Sequence, residues 1–168
     1  MLANRVAEKE AFRRTGPRHD PQIFHHSFVA DPMSVRQALR AALARFLRQL
    51  SEDEAGTLEL ILAEVLNNIV EHGYGDGLPG TITLSIVRDR RGLSCSVSDD
   101  GVVLPASALL NPADPAQSRP DPASLPEGGF GWCLIRDLAE DLGYHREGNH
   151  NLLAFRIPLV APLPTAAP

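Results

Sequence analysis

Glu64, Asn68 and Glu71 stand four and three positions apart in the run LAEVLNNIVEHG. At about 100° per residue those steps return to nearly the same azimuth of a helix, so the three side chains share one face, with Leu62, Val65 and Ile69 opposite. A solvated helix face would account for the two carboxylates. The asparagine is the odd element, because it competes for backbone hydrogen bonds where Glu or Lys would serve a plain exposed face better. Asn does offer a neutral carbonyl oxygen, suited to a Mg²⁺ that keeps its waters and takes its remaining ligands from phosphates. Glu64, one turn earlier, could accept a proton from an attacking hydroxyl or water.

Two further places could do chemistry. Asp99, Asp100 and Gly101 close an alternating segment, where Asp and Gly are ordinary turn residues. A carboxylate at a strand end can equally receive a hydrogen bond from a ligand amine, with Gly101 letting that ligand approach the backbone. Gly128, Gly129 and Gly131 directly precede a helical pattern. Glycines there leave N–H groups unobstructed at a helix N-terminus, where the dipole also favours an anion such as a phosphate. A pliable end to a proline-rich segment would explain the same glycines. In order along the chain, the three places are a metal-type Asn, a strand-end Asp and a phosphate-type glycine cluster.

Composition narrows the classes. The chain has 168 residues, which suits one domain with a real core and excludes two substantial ones. Its net charge of -5 argues against binding held chiefly by phosphate neutralisation on nucleic acid or acidic lipid. Of the sixteen basic residues only Lys9 is a lysine, and it lies in a charged stretch without glycine. A P-loop and the common protein-kinase site each need a lysine on the phosphates, so neither can be built here. Cys95 and Cys133 lie far apart with no C-x-x-C and no His at metal-ligand spacing, which indicates neither a zinc site nor a disulfide framework and suits a reducing cytoplasm. No apolar run approaches the roughly 18 residues of a membrane span, and the start MLANRVAEKEAFRR has no apolar signal core.

The elements that would position these residues can be read in order. Residues 1–22 are charged and unpatterned, and are expected to form a tail. Ile23 to Val29 is β-prone. A helix opens at Asp31-Pro32 and carries Val35, Leu39, Leu43, Phe46, Leu47 and Leu50 as its apolar line. Ser51 and Glu54 form a capping box for a second helix, running to about residue 72 with Leu58, Leu62, Val65 and Ile69 inward. Thr81 to Val87 and Leu93 to Val97 read as a hairpin. Six prolines between Val103 and Gly128 exclude regular structure and favour a long functional loop. A helix from Phe130 to about Leu142 follows, then strands at Tyr144 to Arg146 and Leu152 to Ile157. The expected class is α+β, a two-layer sandwich with helices on one face of a mainly antiparallel sheet.

The run from Glu64 through Asn68 to His72, Gly73 and Tyr74, then Asp99-Asp100-Gly101, then Gly128-Gly129-Phe130-Gly131, resembles the ATP-binding boxes of the GHKL superfamily. The segments AEVLNNIVEHGY and GGFGWCLIRDLAEDLGYHREGNHNLLAFRIPL are similar to the anti-sigma-factor serine kinases. The resemblance covers roughly residues 23–158, leaving 159–168 as a C-terminal tail. It implies an ATP-binding serine/threonine protein kinase that uses Mg²⁺ and phosphorylates a STAS-domain anti-anti-sigma partner, with a sigma factor as the alternate partner. No direct nucleic acid or membrane contact is implied, a cytoplasmic location is, and a homodimer is compatible with it. Glu64 matches the general base, Asn68 the Mg²⁺ ligand and Asp99 the adenine-binding carboxylate. Gly101 packs near the base, Gly128, Gly129 and Gly131 surround the phosphates, and residues 103–127 form the lid. Val103 stands where a second glycine is usual, and Ala154 is expected near the adenine where many members have Thr. The helix Pro32 to Leu50 contains no phosphoacceptor His, which sets the chain apart from a histidine kinase. The competing reading is a non-catalytic module whose bound ATP only shapes a surface for a regulator.

Overall fold

Two helix starts are fixed by side chains that sequence alone exposes. Asp31 accepts hydrogen bonds from the N–H groups of Met33 and Ser34, each 2.9 Å, and Ser34 Oγ donates to its other oxygen at 2.6 Å. The Ser34 bonds, side chain first, hold the Asp31 carboxyl below its ordinary range. Ser51 and Glu54 form a reciprocal capping box, with Ser51 N–H on Glu54 Oε2 at 2.8 Å and Glu54 N–H on Ser51 Oγ at 3.2 Å.

The computed structural model describes residues 22–74, 79–104 and 130–159. In chain order the elements are β1 (Gln22–Val29), α1 (Pro32–Phe46), α2 (Glu52–Gly73), β2 (Thr81–Asp89), β3 (Gly92–Asp99), α3 (Phe130–Leu138), β4 (Glu140–Glu147) and β5 (His150–Ile157). The strands form one sheet in the order β1-β2-β3-β5-β4, and every described pairing is antiparallel. This is the expected α+β sandwich. The tail before Gln22, residues 105–129 and residues 160–168 lie outside the described residues, and with them Gly128 and Gly129.

One face of the sheet meets the helices. Ile82, Leu84, Ile86, Leu93, Val97 and Leu153 point inward against Leu58, Leu62, Val65 and Ile69 of α2 and Ile135 of α3, all essentially without solvent exposure. Truncating such a side chain to Ala typically costs ~2–5 kcal/mol. The other face carries Thr83, Ser85, Ser94, Ser96, Ser98 and Ala154, small residues that no described helix covers. No described helix is long and apolar enough to cross a membrane.

Three local expectations need correction. Helix α1 stops at Phe46 rather than Leu50, with Gln49 N–H closing a turn on the Phe46 carbonyl at 2.8 Å, because Ser51 must already be extended to cap α2. Its buried line is Val35, Ala38, Ala42 and Phe46, while Leu47 is 64% exposed. The alanines let α1 lie close to its neighbours, so the most apolar stripe is rotated from the most buried one. Helix α3 ends at Leu138, not near Leu142. Asp141 adopts a φ of 53°, and the β4–β5 register slips between Glu140 and Gly143. Leu142 satisfies both periods, four residues after Leu138 and two before Tyr144, so periodicity could not place the boundary.

Candidate functional site

Helix α2 sets out the site along its length. Glu64 and Asn68 lie one turn apart, and the start of α3 crosses directly over them. A Cβ added to Gly131 would lie 2.3 Å from Glu64 Oε2 and 3.3 Å from Asn68 Nδ2. Only a residue without a side chain permits that approach. Asn68 is consequently 7% exposed rather than solvated, and its Nδ2 has no hydrogen-bond partner among the described residues. A buried amide left unsatisfied costs about 1–3 kcal/mol and asks for an explanation. Rotating the amide exchanges its oxygen and nitrogen, so the side chain can offer an acceptor at the same point. Glu71, which the sequence placed on the same face, is exposed and takes no part.

Beside Asn68, the α2–α3 junction opens into a cleft of about 290 Å³ lined by Glu64, Gly131, Cys133, Leu134 and Asp137. Among the described residues no group of three or more His, Cys, Asp or Glu side chains could hold a metal ion. A cation here would rely on Asn68 and on oxygens brought by a ligand.

At the far end of α2 the chain meets β3. The Gly73 carbonyl accepts Val102 N–H at 2.9 Å, and a Cβ on Gly101 would come within 2.7 Å of that same carbonyl oxygen. Gly101 thus has a reason for lacking a side chain inside the fold itself. Tyr74 caps the helix and packs its ring on Gly80, where a Cβ would lie 1.7 Å from the ring. The Tyr74 hydroxyl sits 2.7 Å from Asp100 Oδ1 and accepts Asp100 N–H at 3.1 Å, while Thr81 N–H donates to the same Oδ1 at 2.9 Å. Burial, then the bond to Asp100, pushes the tyrosine hydroxyl well above its usual range. The Asp100 carboxyl is held below its own range by the Tyr74 bond first and the Thr81 N–H second. Asp100 locks the corner, and Asp99 alone faces inward.

Asp99 is 3% exposed. It accepts from Gly101 N–H at 2.9 Å and from Asn151 Nδ2 at 2.8 Å, and both bonds fall on Oδ1. Burial raises its pKa, opposed by the Asn151 and Gly101 bonds and by the charge of Arg146, with Asp100 adding to the rise. A Cβ on Gly73 would stand 4.0 Å from Asp99 Oδ1, which puts this carboxylate against the end of α2. From Glu64 to Gly73 the helix rises about 14 Å. The polar points therefore stand at two stretches of α2, with the cleft at the Glu64 end.

Sequence reasoning missed Asn151, Tyr144 and Arg146. Asn151 is 1% exposed and faces Asp99 in the β3–β5 register, with its Oδ1 accepting from Tyr144 and Arg146. Ala154, expected near this end of the site, points to the opposite face with Ser85 and Ser96, because three steps along a strand reverse the side. The only sequence signal was a polar residue opening the apolar run LLAFRI. Val102 and Val103 are each 56% exposed, and Leu104 is buried with its N–H 3.3 Å from the Tyr144 hydroxyl. His25 bonds Ser85 at 2.7 Å on the uncovered face, away from the site.

This arrangement of helix, glycine crossing and strand-end Asp coincides with a known family. The chain matches the histidine kinase-like ATPase domain over residues 28–157. It belongs to that family. Among individual relatives of this histidine kinase-like ATPase domain, the serine/threonine-protein kinase BtrW of Bordetella bronchiseptica is 35% identical over 97 residues, covering 58% of this chain and 66% of the relative. The serine-protein kinase RsbW of Bacillus mycoides is 32% identical over 98 residues, 57% of this chain and 60% of the relative. The sensor histidine kinase PdtaS of Mycobacterium tuberculosis is 31% identical over 85 residues, 50% of this chain but 17% of that protein. The match spans less than two thirds of each of these relatives.

Proposed function

We propose that this histidine kinase-like ATPase domain is a Mg-ATP-dependent protein serine/threonine kinase of the anti-sigma-factor type. It would transfer the γ-phosphoryl group to a serine of a STAS-domain anti-anti-sigma partner, and bind that partner and a sigma factor in alternation. The observation that carries the reading is the order of polar groups along α2, with Asp99 at its C-terminal end and Glu64, Asn68 and Gly131 further back along the helix. The helix rise of about 14 Å between the two suits a nucleotide laid base-first against the strand ends. The similarity to BtrW and RsbW, both named as kinases of serine or of serine and threonine, points the same way.

Asp99 would accept the exocyclic amine of adenine on Oδ2, the oxygen its own neighbours leave unused. Gly101, already in van der Waals reach of Gly73, would leave the plane of the base free of side chain. Gly131, with Gly128 and Gly129, would offer backbone N–H groups to the phosphates at the start of α3. Asn68 would hold Mg²⁺ through its amide oxygen, once the amide is turned to place that oxygen where Nδ2 has no partner among the described residues. When bound, that ion would supply charge neutralisation for the phosphates. Glu64, beside Asn68, would accept the proton of the attacking serine hydroxyl as its oxygen bonds to phosphorus and the ADP oxygen leaves.

Incubation with Mg²⁺, γ-labelled ATP and STAS proteins encoded by neighbouring genes tests the proposal. Serine phosphate on the partner is the expected result. ATP binding and partner binding with no transfer under any condition would replace it with the non-catalytic module, which the position of Glu64 disfavours, since binding alone needs no base.

A further inference from the structure

Asp99 can serve a ligand in two opposite ways. Ionised, its free oxygen only accepts, which suits the 6-amino group of adenine. Protonated, it donates, which suits the 6-oxo group of hypoxanthine or guanine. Which of these the site presents depends on what surrounds the carboxylate.

The surroundings are ordered by a residue that does not reach Asp99. An asparagine amide can turn either edge to its neighbours, but the Asn151 oxygen faces Arg146 Nη1, a group that can only donate, and the Tyr144 hydroxyl at 2.7 Å. Its NH₂ must therefore point the other way, onto Asp99 Oδ1 at 2.8 Å and the Gly101 and Val102 carbonyls at 3.3 and 3.0 Å. Arg146 Nη1 also donates to the Gly101 carbonyl at 3.0 Å. The outcome is one Asp99 oxygen engaged by two donors and one left for a ligand.

We infer that Arg146 and Asn151 are positioning residues that set the choice between 6-amino and 6-oxo purines, by holding Asp99 as an oriented, ionised acceptor. The inference rests on the nucleotide reading above and deepens it. The groups facing Asp99 are few. Its burial and Asp100, the residue directly after β3, favour the proton, while the Asn151 and Gly101 N–H groups and Arg146 from β4 oppose it. From α2 come Gly73 and Tyr74, whose hydroxyl is engaged by Asp100, and from β4 comes Tyr144, engaged by Asn151. His150 in β5 acts on Asp100. Among the described residues, Arg146 is the one cation that bears on Asp99 both by its charge and through the orientation of Asn151.

The test compares ATP and ITP affinity across pH 6 to 8 in the wild type, Arg146→Met and Arg146→Lys, with the Asp99 ¹³Cγ resonance followed by NMR in the free protein. Arg146 is partly buried but stands outside the apolar core, so its replacement does not open that core. The wild type should prefer ATP by about tenfold or more, the worth of one good hydrogen bond. Arg146→Met should bring that preference to within about threefold toward pH 6, mostly by losing ATP affinity, and its Asp99 resonance should titrate at higher pH than in the wild type. Arg146→Lys, which keeps a donor and the charge, should stay near wild type. Asn151→Leu should lose the preference as well. If Arg146→Met keeps the wild-type ATP-to-ITP ratio at every pH and its Asp99 titration is unmoved, the inference fails and nucleotide binding stands. A wild type that binds neither nucleotide overturns both.

Discussion

Gly131 passes so close to Glu64 that the smallest possible side chain would stand 2.3 Å from its carboxylate oxygen. The contact joins the start of α3 to the middle of α2, and every property proposed for the phosphate end of the site depends on it. Gly131→Ala should fold at least as well as the wild type, since Ala is the better helix former by up to ~1 kcal/mol and the obstructing atom is the end of a flexible side chain. Phosphoryl transfer should fall because Glu64 has to swing aside. Melting temperature and transfer rate measured on the same preparation check this; unchanged transfer would show that Glu64 works from its displaced rotamer.

Glu64→Gln preserves size while removing the proton acceptor. ATP binding and partner binding should persist, and transfer to the partner serine should drop by about 10² to 10⁴. Transfer at the wild-type rate would leave the kinase reading in place and remove Glu64 as its base.

Asn68→Ala should behave differently, because a metal ligand contributes to holding the triphosphate as well as to transfer. Both ATP affinity and rate should fall, and the Mg²⁺ dependence of binding should flatten. Trp132 is buried directly after Gly131 and is the only Trp, so its fluorescence gives a built-in measure of binding. A variant that binds Mg-ATP like the wild type would contradict the role given to Asn68.

The raised pKa of Asp99 gives ATP binding a sign with pH. The carboxylate accepts the adenine amine only when ionised, so affinity should be full above the folded-state pKa and be lost as pH falls through it, at a pH higher than an ordinary carboxylate would require. In Asp99→Asn the amide oxygen can keep the Gly101 and Asn151 bonds while its NH₂ faces the ligand. Donor then meets donor, and ATP affinity should fall by about tenfold or more at every pH. Calorimetric titrations from pH 5 to 8 distinguish the two curves. Stability follows the same linkage, because the folded state binds this proton more tightly than the unfolded chain does. Asp99 therefore subtracts from stability above its folded pKa, and the neutral Asn should not destabilise the fold at pH 7.

Gly80→Ala should destabilise without touching the site's chemistry. Its Cβ would penetrate the Tyr74 ring, so the corner held by Tyr74 and Asp100 must shift, at a cost of ~1–3 kcal/mol in thermal unfolding. A melting temperature equal to the wild type would mean that this corner is looser than its hydrogen bonds suggest.

Much of this was legible in the sequence wherever the physics is local. Asp31, the Ser51–Glu54 box and the four-residue step from Glu64 to Asn68 act within one or two helical turns, and all three appear in the structure where the pattern puts them. The α+β layering followed from grouped helices and hairpin-linked strands. What could not be read depends on distant partners. Asn151 meets Asp99 across a separation of 52 residues, and nothing in NHNLLAFRI fixes which of its residues faces inward until the register with β3 is known. Ala154 was misplaced for the same reason. Leu47 looked like core because leucine is apolar, but the small size of Ala38 and Ala42 decided which face of α1 is covered.

The β3–β5 pairing also joins segments far apart in sequence inside a single sheet. During folding, β2 and β3 can zip through a short turn, but β1 must reach β2 across α1 and α2, and Asp99 must find Asn151 across a similar separation. Closure entropy grows only with the logarithm of length, about 0.6 kcal/mol for each doubling. The two hairpins, β2–β3 and β4–β5, can form locally, whereas the β1–β2 and β3–β5 pairings that join them with β1 into one sheet carry the closure cost.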